Sequence, residues 1–184
     1  MNTRERIIKI ADQLFYRHGF EHTSFSDIAE RVGISRGNFY HHFKTKDELL
    51  QAVIAFRVEN TKKLLQRWEE QANSPTERIR SFIQILIMNR TKIKKYGCPV
   101  GSLCSELAKL DHRAERDATG LFTLFRDWLI TQFRELGHKA DASTLAMHLL
   151  ARSQGVAVLA NAYQDEKFIQ REVKVLHEWL DTYI

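Results

Sequence analysis

The chain has 184 residues, which is long enough for one large hydrophobic core or two small ones. Its 28 Lys and Arg exceed its 23 Asp and Glu, and the net charge of +5 is compatible with a nucleic-acid partner but does not identify one. We expect a cytoplasmic protein, because no apolar stretch approaches the length of a membrane span, the N-terminus lacks a signal-peptide pattern and two cysteines make no disulfide framework.

The spacing of apolar residues predicts helices throughout the chain, and no segment has the alternation of a β-strand. Only two prolines and eight glycines interrupt the pattern, so we expect an all-α fold of about nine helices. The first predicted helix extends from about Thr3 to His18 and ends at Gly19. After the segment described next, helices are predicted at about 46–71, 75–95, a short one up to 110, 111–136 with Asp111 as its cap, 142–163 and from 165 onward.

Two short helices are predicted within residues 23–44. Ser24 and Asp27 have the spacing of a capping box, and Gly33 stands where a left-handed backbone ends the first helix. Ser35 can cap the second helix. The apolar side of that second helix contains Phe39 and Phe43. Its other side is polar and basic and stays open to a partner, which is typical of a helix-turn-helix that binds the major groove of DNA.

The sequence from Thr23 to Leu50 resembles the N-terminal domain of the tetracycline-repressor (TetR) family of transcriptional regulators. The matching signature reads Thr-Ser-x-x-Asp-Ile-Ala, then Gly-Ile-Ser-Arg-Gly, then Phe-Tyr-His-His-Phe-Lys-x-Lys-Asp-Glu-Leu-Leu. The resemblance covers roughly the first 55 residues, and the rest of the chain is similar only in its helical layout. It implies a homodimeric repressor that binds a palindromic operator in double-stranded DNA and is released by a small-molecule effector.

The resemblance also implies a division of the chain into two domains. Residues 1–46 would form the helix-turn-helix DNA-binding domain. Residues 47–184 would form a larger ligand-binding and dimerisation domain, and the helix at about 46–71 would link the two.

The predicted second helix of the helix-turn-helix supplies the residues that are expected to read bases. Arg36 and Asn38 are our choice, because Arg pairs with guanine O6 and N7 and Asn pairs with adenine N6 and N7. The resemblance implies that neighbouring positions contact the DNA backbone. The full predicted DNA-binding set is Thr23, Ser24, Ser35, Arg36, Gly37, Asn38, Tyr40, His41 and Lys46.

The resemblance places the effector pocket inside the larger domain and the dimer contact on its last two helices. The candidate pocket residues are Met88, Cys104, Phe122, Phe125, Trp128, Met147 and His148. Ordinary core packing is the alternative for each of them. The candidate interface residues combine small side chains, which allow close helix approach, with large apolar ones: Ala151, Gly155, Phe168, Leu176 and Trp179. The alternative is that these faces are buried within one protomer.

Cys98 offers a second way of controlling DNA binding. It follows Lys94 and Lys95 and precedes Pro99 at a predicted helix start, and both positive charge and a helix start favour a reactive thiol. A thiol-based redox or electrophile sensor is therefore an alternative to a reversible ligand. A small, inert side chain at a helix junction is the alternative to a sensor.

No motif indicates an enzyme, a cofactor or a metal site. His41 and His42 are adjacent and point about 100° apart on a helix, so they do not share a metal easily. The chain contains neither a Gly-rich phosphate loop nor a nucleophile elbow. The basic run at 90–95 is expected to be a solvated helix end rather than a second DNA contact. A helical sensor whose helix-turn-helix contacts another protein remains the alternative function.

Overall fold

The computed structural model describes all 184 residues and contains ten α-helices and no β-strand. The predicted all-α fold is confirmed. The helices are α1 (Thr3–His18), α2 (Phe25–Val32), α3 (Arg36–His42), α4 (Lys46–Gln71), α5 (Pro75–Met88), α6 (Arg90–Tyr96), α7 (Pro99–Lys109), α8 (Glu115–Glu135), α9 (Ala142–Ala162) and α10 (Glu166–Asp181). None of them has the length and apolar content that a membrane crossing requires.

The chain folds into two compact units, each with its own apolar core. The first unit contains residues 1–60 and 100–121, and the second contains residues 61–99 and 122–184. The helix-turn-helix thus packs with more of the chain than residues 1–46. The side chains that join it from α4, α7 and α8 are Leu49, Leu50, Val53, Leu103, Leu107 and Ala118. The predicted assignment of DNA binding to 1–46 and of ligand binding to 47–184 stays a prediction.

The second unit is built from the end of α4, from α5 and α6, and from most of α8 with α9 and α10. Its core is aliphatic with several aromatic rings, among them Trp68, Phe82, Trp128 and Phe133. The indole N–H of Trp128 donates to the Glu69 carboxylate at 2.8 Å, which satisfies the one polar atom of that ring.

The predicted helix at 75–95 is divided into two helices at Asn89, so the chain has ten helices rather than about nine. Asn89 leaves the helical conformation with φ −109° and ψ 7°. Its backbone N–H and its side-chain amide both donate to the carbonyl of Ile85, at 3.1 and 3.0 Å. The side chain therefore competes for the helical carbonyl and ends α5, as Asn side chains often do.

The prediction that Asp111 caps the helix at 111–136 is wrong. Asp111 has a left-handed backbone, with φ 49°, and α8 begins only at Glu115. His112 closes the start of α8 instead. Its carbonyl accepts the N–H of Glu115 at 2.9 Å, and its ring Nδ1 accepts the N–H of Ala114 at 3.1 Å.

Gly33 ends α2 in the left-handed conformation that the sequence predicted, with φ 77° and ψ 41°. We expect Gly33→Ala to lower the free energy of unfolding by about 1–2 kcal/mol, because an L-residue is strained in this conformation. The cost is purely conformational, since an added Cβ would meet no atom within 4 Å.

The matched control for Gly33 is Gly120→Ala, within α8 of the same compact unit. A Cβ there also meets nothing within 4 Å, and alanine is favoured over glycine inside a helix by about 0.5–1 kcal/mol. Urea denaturation should therefore show opposite signs for the two variants. A shift in the same direction for both would contradict the conformational explanation.

Candidate nucleic-acid interface

The turn between α2 and α3 is fixed by main-chain hydrogen bonds. The N–H of Gly33 donates to the carbonyl of Glu30 at 3.1 Å, and the N–H of Ile34 donates to the carbonyl of Ala29 at 3.1 Å. This pair of bonds is a Schellman motif, which needs glycine at the left-handed position. From α1, the Arg6 guanidinium donates to the carbonyl of Val32 at 2.8 Å, so a third helix also holds the end of α2.

An aromatic cluster holds α3 against α2. Phe39 is 1 % exposed and Phe43 is 0 % exposed, as the sequence predicted for the inner side of this helix. The Phe39 ring lies 4.5 Å from the ring of Phe25 and 6.3 Å from that of Phe43, measured between centroids. Because Phe39 and the capping residue Phe43 both point inward, the rotation of the helix about its own axis is determined.

The opposite side of α3 is exposed and polar. The exposed residues on it are Arg36, Gly37, Asn38, Tyr40 and His41. A Cβ on Gly37 would meet only the Ser35 hydroxyl, at 3.9 Å, so the helix backbone there is open to close approach. Ser35 caps the helix by accepting the N–H of Asn38 at 3.2 Å. One guanidinium and one carboxamide therefore stand on an open helix face, the arrangement that reads base edges.

Thr23 and Ser24 take part in the fold of the loop before α2. Thr23 is 2 % exposed, and its hydroxyl donates to the carbonyl of Gly19 at 2.7 Å. The predicted contact of the Thr23 side chain with DNA is corrected accordingly, because its donor hydrogen is used inside the protein. The Ser24 hydroxyl is exposed, donates to the Asp27 carboxylate at 2.7 Å and accepts the N–H of Asp27 at 3.2 Å.

Lys46 lies at the start of α4, beside this loop. Its Nζ donates to the carbonyl of Glu21 at 2.8 Å and stands 4.6 Å from the ring centroid of Phe20. An ammonium has three N–H donors, so two remain for an anion. A hollow of about 370 Å³ opens here, lined by Glu21, His22, Thr23, Ser24, Phe25 and Lys46.

The capping box at the start of α2 predicts a pH dependence of stability. Hydrogen bonds from the Ser24 hydroxyl and then from the Ser24 N–H lower the pKa of Asp27 below its usual value. A carboxylate whose pKa is lowered by folding adds stability above its unfolded pKa, about 3.9, and loses that contribution as the pH falls through the folded value.

We therefore expect Asp27→Asn to lower the stability at neutral pH while making it less sensitive to acid. Urea unfolding at a series of pH values between neutrality and about pH 3 gives the free energy of unfolding of each protein as a function of pH. The wild-type and variant curves should converge at the acidic end. Parallel curves over the whole range would contradict the role given to the Ser24 hydrogen bonds.

Two carboxylates near this site have partners that could not be found from the sequence. Glu106 on α7 accepts the N–H groups of Phe20 and Glu21, both at 2.9 Å. Asp47 at the start of α4 contacts His112 at 3.2 Å and Arg113 at 2.9 Å. These partners are separated by 65 to 86 residues along the chain, and no local pattern marks such pairs.

The predicted pocket residues belong to both compact units and differ in exposure. Met88 is 70 % exposed on α5, and Met147 is 47 % exposed on α9. Cys104 packs against the core of the first unit, whereas the others belong to the second. Phe122, Phe125 and Trp128 do lie together along α8 in the core of the second unit. His148 is exposed and lies against Trp179, with 5.0 Å between the ring centroids.

Two of the predicted dimer residues, Ala151 and Gly155, lie on an exposed apolar surface. We name it the α9 stripe, and it consists of Met147, Ala151, Gly155, Val158, Leu159 and Tyr163 at helical spacing. Phe168 and Trp179 on α10 are half-buried. Leu176 is 0 % exposed within the protomer core, so the prediction of an interface contact is corrected for this residue. An exposed apolar stripe on a helix marks an interaction surface.

Cys98 is half-buried and packs against the core of the second unit. The two lysines that motivated a thiol sensor have other neighbours. Lys94 Nζ lies 3.5 Å from the Glu166 carboxylate, and Lys95 Nζ stands 5.3 Å from the ring centroid of Tyr96. The sensor stays a prediction. Nowhere in the chain do three His, Cys, Asp or Glu side chains form a group that could hold a metal ion.

Both halves of the chain match sequence profiles of known proteins. Residues 7–53 match the profile of bacterial regulatory proteins of the tetR family. Residues 75–174 match the C-terminal domain of LmrA/YxaF-like transcriptional regulators. The two matched segments correspond to the helix-turn-helix with its neighbours and to the helices from α5 into α10.

Individual relatives are similar over most of their length. An HTH-type regulator encoded in the lacX 3' region of Lactococcus lactis is 29 % identical, over 95 % of this chain and 91 % of its own. The HTH-type transcriptional regulator YxaF of Bacillus subtilis is 30 % identical, over 80 % of this chain and 77 % of its own. The crystal structure of a TetR transcriptional regulator from Legionella pneumophila superimposes with a TM-score of 0.86 at 26 % identity, over 100 % and 98 % of the two chains.

Proposed function

Because the chain belongs to the TetR family of transcriptional regulators, we propose that it acts as a homodimeric repressor. In this proposal it binds a palindromic operator and leaves it when a small-molecule effector binds the second unit. The observation that carries the DNA-binding part is the arrangement of α3, in which Phe39 is buried while Arg36 and Asn38 are exposed. A regulator that binds genomic DNA works in the cytoplasm of a bacterium and needs no catalytic group.

The exposed face of α3 would enter the major groove. Arg36 would donate to guanine O6 and N7, and Asn38 would exchange hydrogen bonds with adenine N6 and N7. Ser35, Tyr40 and His41 flank these two side chains and would contact the phosphates. Gly37 supports this placement, because a helix without a side chain at that position can approach the DNA closely.

Two copies would associate through the α9 stripe, joined by the half-buried aromatic residues of α10. Two helices from each protomer would form a four-helix interface with two-fold symmetry. Such a dimer presents two recognition helices to successive turns of the major groove, about 34–36 Å apart or somewhat more. A two-fold protein binds a two-fold DNA site, and this is why we propose a palindromic operator.

Release would follow from a shift between two populations. An effector that binds one conformation of the second unit more tightly than the other favours that conformation by the difference in affinity. If the favoured conformation separates the two α3 helices by the wrong distance, operator affinity falls. The aromatic residues along α8 are the part of the proposed pocket that lies together in the core, and they suit an apolar or aromatic effector.

Selection from a pool of random duplexes tests the operator part of the proposal. The protein is incubated with the pool, bound duplexes are recovered and sequenced, and the enriched motif is analysed for symmetry. We expect an enriched inverted repeat that contains guanine and adenine at matching positions of each half. A pool that remains unenriched would overturn the proposal and would favour a protein partner for the helix-turn-helix.

A further inference from the structure

The loop between α1 and α2 is held by a carboxylate from outside the helix-turn-helix. Glu106 lies on α7, and each of its two oxygens accepts a backbone N–H, from Phe20 at 2.9 Å and from Glu21 at 2.9 Å. Hydrogen bonds to a charged acceptor are stronger than those between neutral groups. These two N–H groups have no other acceptor, so Glu106 alone satisfies them.

Lys46 holds the same loop from the carbonyl side. Its ammonium donates to the carbonyl of Glu21 at 2.8 Å and covers the ring of Phe20. The main chain of Glu21 therefore lies between a negative charge at its N–H and a positive charge at its C=O. Both charges match the polarity of the main-chain groups that they contact, so each reinforces the hydrogen bond made by the other.

The close approach of Glu106 depends on Gly19. This residue has φ +87°, and a Cβ built on it would lie 2.9 Å from a Glu106 carboxylate oxygen. The carbonyl of Gly19 also accepts the Thr23 hydroxyl, which closes the loop on itself. Buried Phe20 contacts the His112 ring at 5.4 Å between centroids. The loop therefore contacts the Glu106 carboxylate of α7 and the ring of His112, which follows α7.

We propose that Glu106 is a positioning residue for DNA binding. It fixes the loop of residues 19–23 so that Lys46, which lines the hollow described above, meets the DNA backbone without further ordering. A loop that is ordered before binding costs no conformational entropy when the complex forms. This inference rests on the proposed function, and it assigns a role in DNA contact to a residue that lies outside the helix-turn-helix.

The test compares Glu106→Gln with Glu30→Gln. Glutamine at 106 keeps the size of the side chain but directs an NH₂ group at one of the two N–H groups, so one hydrogen bond is lost. Glu30 is exposed on α2, outside the loop that Glu106 holds. Both variants remove one negative charge from the first unit. Electrostatics alone therefore predicts tighter DNA binding for both.

Binding is measured by fluorescence anisotropy on a duplex selected from a random pool by the wild-type protein, at several salt concentrations. We expect Glu106→Gln to bind about tenfold more weakly, which is the order of one lost hydrogen bond to a charged group. The dependence of log K on log salt should become shallower by about one unit, because one phosphate contact is misplaced. Glu30→Gln should bind as tightly as the wild type or more tightly, with an unchanged slope.

Stoichiometric titration separates positioning from loss of folded protein. Partial unfolding lowers the active fraction but leaves the affinity and salt slope of the remainder unchanged, and that result would overturn the inference. If Glu106→Gln binds as tightly as Glu30→Gln, the inference is also overturned, while the proposed function stands. Glu106→Ala, which removes both hydrogen bonds, must weaken binding at least as much as Glu106→Gln. A wild-type protein that selects no duplex would overturn the proposed function itself.

Discussion

Replacement of Asn38 by alanine is expected to relax the base preference at one position of each half-site and to weaken binding there by about 1–3 kcal/mol. The carboxamide of Asn38 stands on the exposed face of α3, and the hydrogen bond to the Ser35 hydroxyl comes from the backbone N–H of Asn38. The fold should therefore be unaffected. The variant is examined by repeating the random-pool selection and by titrating duplexes that differ at each base pair.

Asn73→Ala is the matched control for Asn38. It removes an exposed carboxamide from the turn between α4 and α5, in a residue that contributes only its backbone N–H to a hydrogen bond. We expect this control to select the same motif as the wild type. If Asn38→Ala also selected the wild-type motif with unchanged stringency, Asn38 would not be a base-reading residue.

Replacement of Gly155 by leucine is expected to separate the dimer and to lower operator affinity by a factor of about 100 or more, because the two half-sites are then bound independently. Gly155 is exposed in the α9 stripe, and a Cβ there meets nothing within 4 Å. A leucine therefore costs the isolated protomer little but fills the space that a partner helix would occupy.

Gly155→Ala serves as the control, because its single methyl group is tolerated where helices cross closely and alanine favours the helix. Light scattering at micromolar concentration measures the mass of both variants. The alanine variant should remain a dimer and the leucine variant should be a monomer with an intact thermal transition. A dimer in the leucine variant would place the interface elsewhere on the protein.

The local parts of the DNA-binding region could be predicted from the sequence. The capping box of Ser24 and Asp27 and the left-handed Gly33 are local features, and Phe39 and Phe43 are four positions apart, the spacing of one helix face. Helical periodicity and capping rules act on this scale, so the sequence carries the information directly. The exposure of Arg36 and Asn38 then follows, because the buried rings determine which side of α3 faces outward.

The wrong predictions concern features that depend on tertiary contacts or on a side chain that competes for a main-chain hydrogen bond. Asn89 ends α5 by bonding back to Ile85, although apolar spacing continues across it. Thr23 looks like an exposed loop residue, but it is buried because its hydroxyl closes the loop onto Gly19. Leu176 suits an interface by composition, and only the packing of α10 in the protomer shows that it is internal.

The role of Glu106 illustrates the same limit in the site itself. A single glutamate on a short helix has no distinguishing pattern, and its partners Phe20 and Glu21 offer only backbone groups, which leave no trace in the sequence. The compact first unit also includes residues 100–121, which the resemblance to a helix-turn-helix domain did not indicate. Tertiary packing alone brings these parts together.

The most direct test of the central claim is an anisotropy titration of the selected duplex against a duplex of the same composition in shuffled order, at one salt concentration. If the α3 helix of each protomer in a dimer contacts base edges, the protein should bind the selected duplex about a thousandfold or more tightly than the shuffled one, with two protomers per duplex. Equal affinities for the two duplexes would mean that only the backbone charge is recognised, and would contradict the assignment of α3 as a recognition helix.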